Sequence, residues 1–126
     1  MVERLKVKAE DAVRVDEDRL RETVRMIFLE CGVPEEDAGR ATDVLVISDL
    51  RGVDTHGVSN ALRSYVKGFG NGELNPAPQW KILRETPATA NIDSDRGLGI
   101  VVGPKAMEIA IEKASKVGIG VVTIRN

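Results

Sequence analysis

The chain is organised around the stretch Ser48-Asp-Leu-Arg-Gly-Val-Asp-Thr-His-Gly-Val-Ser-Asn-Ala-Leu-Arg-Ser-Tyr65. It carries the sole histidine, His56, on a short polar segment between two apolar runs with helical spacing. A loop between helices can direct polar groups into a cleft while the helices hold it in place, so this segment is a candidate functional site. Gly52 can adopt a positive φ where the first helix ends, and Gly57 permits a backbone or a ligand to approach the imidazole.

The residue types alone leave the role of this loop open. A lone histidine between glycines is often a capping or solvated group, and Asp54 and Thr55 belong to the residue types that favour a helix N-cap. A catalytic or ligand-binding role for His56 is the alternative, because an imidazole changes its charge near neutral pH.

The sequence around this loop predicts three helices. Asp16 is a favourable N-cap for the first, which ends at Gly32; Pro34 fits the first position of the second, which closes at Arg51 and Gly52. The third is predicted from about Val58 to Phe69, before a cluster of glycines. Each helix is predicted to bury one apolar face. In the first helix this face comprises Leu20, Val24, Ile27, Phe28 and Cys31, and in the second it comprises Ala38, Ala41, Val44, Leu45 and Ser48. In the third helix it comprises Val58, Leu62, Tyr65, Val66 and Phe69.

The rest of the chain predicts the beginning of an α/β domain. Two short alternating strands bracket the turn at 85–87, with Trp80 in the core, and Gly103 and Pro104 are expected to open a fourth helix. That helix is expected to bury Met107, Ile111 and Ala114 and to end at Gly118, before an apolar strand at 119–124. A strand, a helix and a strand in this order indicate a parallel β-α-β crossover, and the fold class is therefore α/β.

Composition and charge bound the classes of function. The 126 residues are 42% hydrophobic and 30% charged, and a net charge of −2 with interspersed signs predicts neither a nucleic-acid face nor a membrane anchor. Residues 1 to about 14 alternate charged and apolar groups, as an edge strand or a loose arm would. With no signal-peptide pattern and one cysteine, Cys31, we expect a cytoplasmic protein without an internal disulfide. One histidine and one cysteine also predict no zinc site.

Gly97, Gly99 and Gly103 lie between a predicted strand and a predicted helix, where a phosphate-binding loop could occur. Their spacing departs from the dinucleotide fingerprint, because Val102 occupies the place of the third glycine. We therefore predict a structural turn at these glycines.

The order Asp49-Leu-Arg-Gly-Val-Asp-Thr-His-Gly-Val58 resembles the signature of the type-2 malate/L-lactate dehydrogenase family, which also contains ureidoglycolate and sulfolactate dehydrogenases. The likeness spans nearly the whole chain after about Val15 and continues in the family's order through Tyr65, Gly72-Glu-Leu-Asn-Pro-Ala-Pro78, Asp95-Arg-Gly-Leu-Gly99 and Gly118-Ile-Gly-Val-Val122. The resemblance implies an NAD(P)-dependent oxidoreductase that works as a homodimer and has its own fold, not a Rossmann domain. Because the family's chains are much longer, we expect a truncated N-terminal part, with a helical substrate and dimerisation region over 1–75 and the start of an α/β domain over 76–126.

The resemblance also implies the chemistry, which is hydride transfer between NAD or NADP and a small 2-hydroxy acid such as malate, lactate or ureidoglycolate. Thr55 and His56 match the family's Ser/Thr-His pair in the substrate pocket, where His56 is expected to polarise the substrate hydroxyl or relay its proton. The general acid/base most often assigned in the family is a later histidine, in a Ser-x-His-x-Gly segment that would lie just past Asn126. Cofactor contacts also come mostly from later sequence, so no cofactor-binding residue is assigned.

Substrate specificity is where this sequence departs from the family's pattern. Many members have an arginine four residues after the position of His56, where it can bind a substrate carboxylate in bidentate fashion. Here that residue is Asn60. Either Arg51 or Arg63 supplies the charge instead, or the substrate is a different acid or an amide-bearing analogue.

Two functional hypotheses follow, from different classes. The chain is either the N-terminal portion of such a dehydrogenase, inactive alone, or an interaction or regulatory module that keeps the helices without catalysis. The last strand is apolar on both faces, which is typical of a strand with neighbours on both sides, and this favours the first hypothesis.

Overall fold

The computed structural model describes residues 10–11 and 13–126, which divide between two compact units, Met1–Gly70 and Asn71–Asn126. Most of the predicted edge strand or arm at residues 1 to about 14 lies outside the described residues. Within the described ranges, each helix is too short or too polar to span a lipid bilayer.

The first unit is built from α1 (Glu17–Glu30), α2 (Glu35–Leu50) and α3 (Arg63–Gly70). The predicted N-cap of α1 is confirmed, because the Asp16 carboxylate accepts a hydrogen bond from the backbone N–H of Arg19 at 3.0 Å. Gly32 has a φ of +86°, which allows the chain to reverse between α1 and α2. The start of α2 was predicted one residue early, since Pro34 is extended, with ψ of 148°, and precedes the helix.

α1 and α2 pack against each other and supply most of the core of the first unit. Phe28 and Val24 of α1 are almost fully buried, and α2 contributes small and branched residues at helical spacing. The buried residues of α2 include Ala38, Ala41, Thr42, Leu45 and Val46. Burial raises the pKa of the Cys31 thiol at the end of α1, and the nearby Glu30 carboxylate raises it further.

The second unit has a three-stranded sheet in the order β1-β2-β3, formed by β1 (Lys81–Glu85), β2 (Thr89–Asp93) and β3 (Val121–Arg125). β1 pairs with β2 antiparallel and β2 pairs with β3 in parallel, from Thr89 opposite Val121 to Asp93 opposite Arg125. The helix α4 (Gly99–Val117) connects β2 to β3 and ends at Gly118, whose φ is +86°. The predicted β-α-β crossover and the α/β fold class are confirmed.

The core of the second unit lies between β2 and α4. Ile92, Val102 and Ala106 are buried there, with Trp80, Ile109 and Val122 packed around them. The buried face of α4 was predicted wrongly, because Met107 and Ile111 are 60% and 62% exposed. α4 carries apolar residues on two sides, and the sheet takes the side with Val102 and Ala106.

The chain turns tightly in the loop that leads into α4, and the helix starts earlier than expected. α4 begins at Gly99, so Pro104 lies inside it and does not open it. Gly97 closes the turn by donating its N–H to the Ser94 carbonyl at 2.9 Å. A side chain at Gly97 would meet the Ser94 carbonyl oxygen at 2.9 Å and the Pro78 ring at 2.8 Å, so close packing explains this glycine.

Candidate functional site

The loop that carries His56 starts from a well-formed end of α2. Gly52, with φ of +70°, follows the helix C-cap Arg51. The N–H of Gly52 donates to the Asp49 carbonyl at 2.9 Å, and the N–H of Val53 donates to the Ser48 carbonyl at 2.8 Å. These two bonds are the Schellman arrangement, which satisfies carbonyls at a helix C-terminus and turns the chain sharply.

His56 lies at the end of a 3₁₀ turn, Asp54–His56, where its N–H donates to the Val53 carbonyl at 2.9 Å. Its Nδ1 lies 2.8 Å from the hydroxyl oxygen of Thr55. The imidazole itself is exposed, and Thr55 is half-buried. The pair therefore engages one ring nitrogen, and over the part of the chain that the structure describes no hydrogen bond engages Nε2.

Asn60 is held against the same turn. It belongs to a π-helical segment, Val58–Leu62, and its side-chain amide donates to the Thr55 carbonyl at 2.7 Å. π-helical turns are rare and frequently occur at functional sites. Thr55, His56 and Asn60 thus meet in one hydrogen-bonded cluster.

Arg51 is not joined to this cluster. Its side chain is exposed at the C-cap of α2, and among the described residues no hydrogen bond or ion pair engages its guanidinium. Arg63, the other cation considered from the sequence, is exposed at the first residue of α3.

The sequence interpretation missed Asp49, whose carboxylate Oδ2 accepts a hydrogen bond from the N–H of Val58 at 2.9 Å. A Cβ on Gly57 would lie 1.5 Å from Asp49 Oδ1. The space left by the missing side chain of Gly57 is therefore taken by this carboxylate, and not by a ligand at the imidazole. One sequence signal was available, since an acid in the last turn of a helix is unfavourable beside the negative end of the helix dipole unless another group binds it.

Tyr65 continues the same stretch on α3, and burial raises the pKa of its hydroxyl. The phenol therefore stays protonated near neutral pH. Over residues 10–11 and 13–126, no group of three or more histidine, cysteine, aspartate or glutamate side chains is arranged to hold a metal ion.

Comparison with known proteins gives this loop a family context. The sequence model described as malate/L-lactate dehydrogenase matches residues 15–126. The chain belongs to the malate/L-lactate dehydrogenase family. It is 48% identical over 117 residues to a malate dehydrogenase of Pyrococcus abyssi, covering 93% of this chain and 32% of that protein. It is 54% identical over 95 residues to an L-sulfolactate dehydrogenase of Methanocaldococcus jannaschii, covering 75% of this chain and 27% of that protein.

The fold agrees with solved structures from this family. A malate dehydrogenase from Pyrococcus horikoshii superposes with a TM-score of 0.85 at 47% identity, over 90% of this chain and 32% of that one. The chain thus spans about a third of the length of the relatives it matches, and it corresponds to their N-terminal part. The family predicted from the sequence is confirmed.

Proposed function

We propose that this chain supplies the substrate-side histidine of an NAD(P)-dependent oxidoreductase that acts on small 2-hydroxy acids. The observation that carries the proposal is the contact between the Thr55 hydroxyl and His56 Nδ1 at 2.8 Å, with the imidazole exposed. The names of the relatives, malate dehydrogenase and L-sulfolactate dehydrogenase, support a hydroxy-acid substrate. They also favour an enzyme over the alternative, an interaction or regulatory module.

The Thr55–His56 pair is suited to moving a proton in either direction. When the Thr55 hydroxyl donates to Nδ1, the neutral imidazole carries its proton on Nε2 and can donate it to a substrate carbonyl oxygen. When Nδ1 is protonated and donates to the hydroxyl, a neutral ring accepts at Nε2 and can bind a substrate alcohol. His56 is therefore proposed as the group that polarises the substrate oxygen or relays its proton.

Binding of the substrate carboxylate needs a cation or hydrogen-bond donors near this pair. One N–H of the Asn60 amide is used on the Thr55 carbonyl, and its second N–H is left for a ligand. Arg51 presents a guanidinium that the described residues leave unpaired. We therefore assign Arg51, Thr55 and Asn60 as the proposed substrate-binding residues.

The described residues do not fit the nicotinamide cofactor by themselves. Close packing of Gly97 against the Pro78 ring and the Ser94 carbonyl supports a structural role for the glycine-rich loop between β2 and α4, and no residue of that loop is proposed to hold a pyrophosphate. NAD or NADP is therefore proposed to be held by sequence outside this chain. The homodimer stays a prediction from the resemblance, and the cytoplasmic location stays a prediction from the cysteine count and the N-terminal sequence.

The proposal is tested by a chimera that joins residues 1–126 to the remaining C-terminal part of the Pyrococcus horikoshii relative. We expect the chimera to reduce NAD or NADP with at least one acid among malate, lactate and sulfolactate, followed by absorbance of the reduced nicotinamide. Neither part is expected to turn over substrate alone. A folded chimera without activity toward these acids would contradict the proposal, and activity from residues 1–126 alone would contradict the need for a second part.

A further inference from the structure

Asp49 carries a negative charge at a position where the helix dipole makes such a charge unfavourable. It occupies the last turn of α2, beside helix carbonyls that carry the negative end of the dipole. Among the described residues no cation forms an ion pair with it. Its carboxylate instead accepts the N–H of Val58 at 2.9 Å, the first residue of the π-helical segment. Asp49 thus caps the start of the next helical segment from the end of the previous one.

The same carboxylate also packs on the residue that follows His56. A Cβ on the buried Gly57 would lie 1.5 Å from Asp49 Oδ1 and 2.4 Å from its Cγ. No rearrangement of a few tenths of an ångström accommodates such a contact, so a side chain at position 57 must displace the carboxylate. Two independent contacts therefore tie Asp49 to the backbone directly after His56.

The backbone before the imidazole is fixed as well. The N–H of His56 donates to the Val53 carbonyl at 2.9 Å, and Val53 is itself bonded to the end of α2. The 3₁₀ turn is consequently held at both ends, by backbone bonds on one side and by the Asp49 carboxylate on the other. A short turn held in this way fixes the direction in which the His56 side chain leaves the backbone, and the Thr55 hydroxyl then holds the ring through Nδ1.

We propose that Asp49 is a positioning residue, which orients His56 and maintains its hydrogen bond with Thr55. Its effect on turnover rests on the proposed function of His56, whereas its effect on the imidazole does not. In this role Asp49 acts through its contacts with Gly57 and Val58.

The first test measures the imidazole directly in residues 1–126, where His56 is the only histidine. The ¹⁵N shifts of Nδ1 and Nε2 report the ratio of the two neutral tautomers. Because the Thr55 hydroxyl can donate to Nδ1 or accept from it, this ratio shows which direction of the bond the held geometry favours, and how strong that bias is. Asp49→Ala and Gly57→Ala are each expected to reduce that bias at least about threefold. Asp49→Asn keeps an acceptor of the same shape and is expected to retain it.

The double variant Asp49→Ala/Gly57→Ala shows whether the two single substitutions disturb the same contact or act independently. If the carboxylate and Gly57 act as one unit, the double variant is expected to match Asp49→Ala, since the clash is already gone. Additive losses would overturn the proposal, as would a wild-type tautomer ratio in Asp49→Ala. Should Asp49→Ala fail to fold, Gly57→Ala compared with Asp49→Asn decides the same question, because Asp49 or its isostere is present in both.

The second test uses the chimera described above. Asp49→Ala is expected to lower kcat at least about tenfold and to change KM less than about threefold, with recovery in Asp49→Asn. If Asp49→Ala has an unaltered kcat and His56→Ala has a lowered one, the positioning role of Asp49 is overturned and the proposed function of His56 stands. If His56→Ala turns over normally, the proposed function fails, and the tautomer ratio still decides whether Asp49 orients the ring.

Discussion

Asn60→Arg is expected to change the preference between dicarboxylate and monocarboxylate ligands. Asn60 is exposed, and its amide donates to the Thr55 carbonyl at 2.7 Å. An arginine at this position loses that bond, which costs about 0.5–1.5 kcal/mol, and offers a guanidinium that can bind a second carboxylate for about 1.5–3 kcal/mol.

A comparison of malate with lactate separates these two effects. The lost bond to Thr55 weakens the binding of both ligands equally, whereas the new guanidinium contact involves only the carboxylate that malate has and lactate lacks. Because each 1.4 kcal/mol is a factor of ten, the ratio of malate affinity to lactate affinity should rise about 10- to 150-fold.

The assay is the ratio of Kd values for the two acids in the chimera. The matched control is Asn60→Ala, which loses the same bond and adds no charge, and its ratio is expected to stay within about twofold of the parent. An unchanged ratio in Asn60→Arg would place residue 60 away from the second carboxylate and refute the reasoning.

Three further predictions concern the second unit. Ile92 is fully buried, so Ile92→Ala should lower the free energy of unfolding, measured in urea, by about 2–5 kcal/mol. Ile111 is 62% exposed, so Ile111→Ala should change that free energy by no more than about 0.5 kcal/mol. Equal losses in the two variants would contradict the assigned core. A hydrogen bond from Asn126, with others from the Asp95 N–H and Arg125, lowers the pKa of Asp93. The wild type should therefore be more stable than Asp93→Asn at neutral pH, and it should lose that advantage as the pH falls through the lowered pKa. A stability difference that does not depend on pH would contradict this prediction. In the described structure β3 pairs on one side only and exposes 43% of Ile124, so residues 1–126 should self-associate in sedimentation and Ile124→Lys should reduce it; a stable wild-type monomer would refute this.

Local signals in the sequence accounted for the positions of most elements. Asp16 and Gly118 mark helix ends through backbone chemistry that depends on one or two residues, and the structure has both in the predicted roles. Gly52 likewise closes α2 with a positive φ. The parallel pairing of β2 with β3 followed from the order of a strand, a helix and a strand along the chain.

Two features could not be obtained from local signals. α4 has apolar residues on two sides, and the choice of Val102 and Ala106 over Met107 and Ile111 depends on which side the sheet meets. The contact between Asp49 and Gly57 spans eight positions across a loop, a separation that neither helical nor strand periodicity brings together. Both features depend on how the secondary-structure elements pack against each other. The spacing of apolar residues along a single sequence does not reveal that packing.

The most direct test of the functional account is the turnover of the chimera carrying His56→Ala, compared with Ser59→Ala as the matched control. Ser59 is exposed in the same π-helical segment and has no assigned role. The account predicts that His56→Ala lowers kcat at least about tenfold at unchanged far-UV circular dichroism, while Ser59→Ala stays within about twofold of the parent. Parental kinetics of His56→Ala with malate, lactate and sulfolactate would contradict the account and leave His56 as a solvated loop residue.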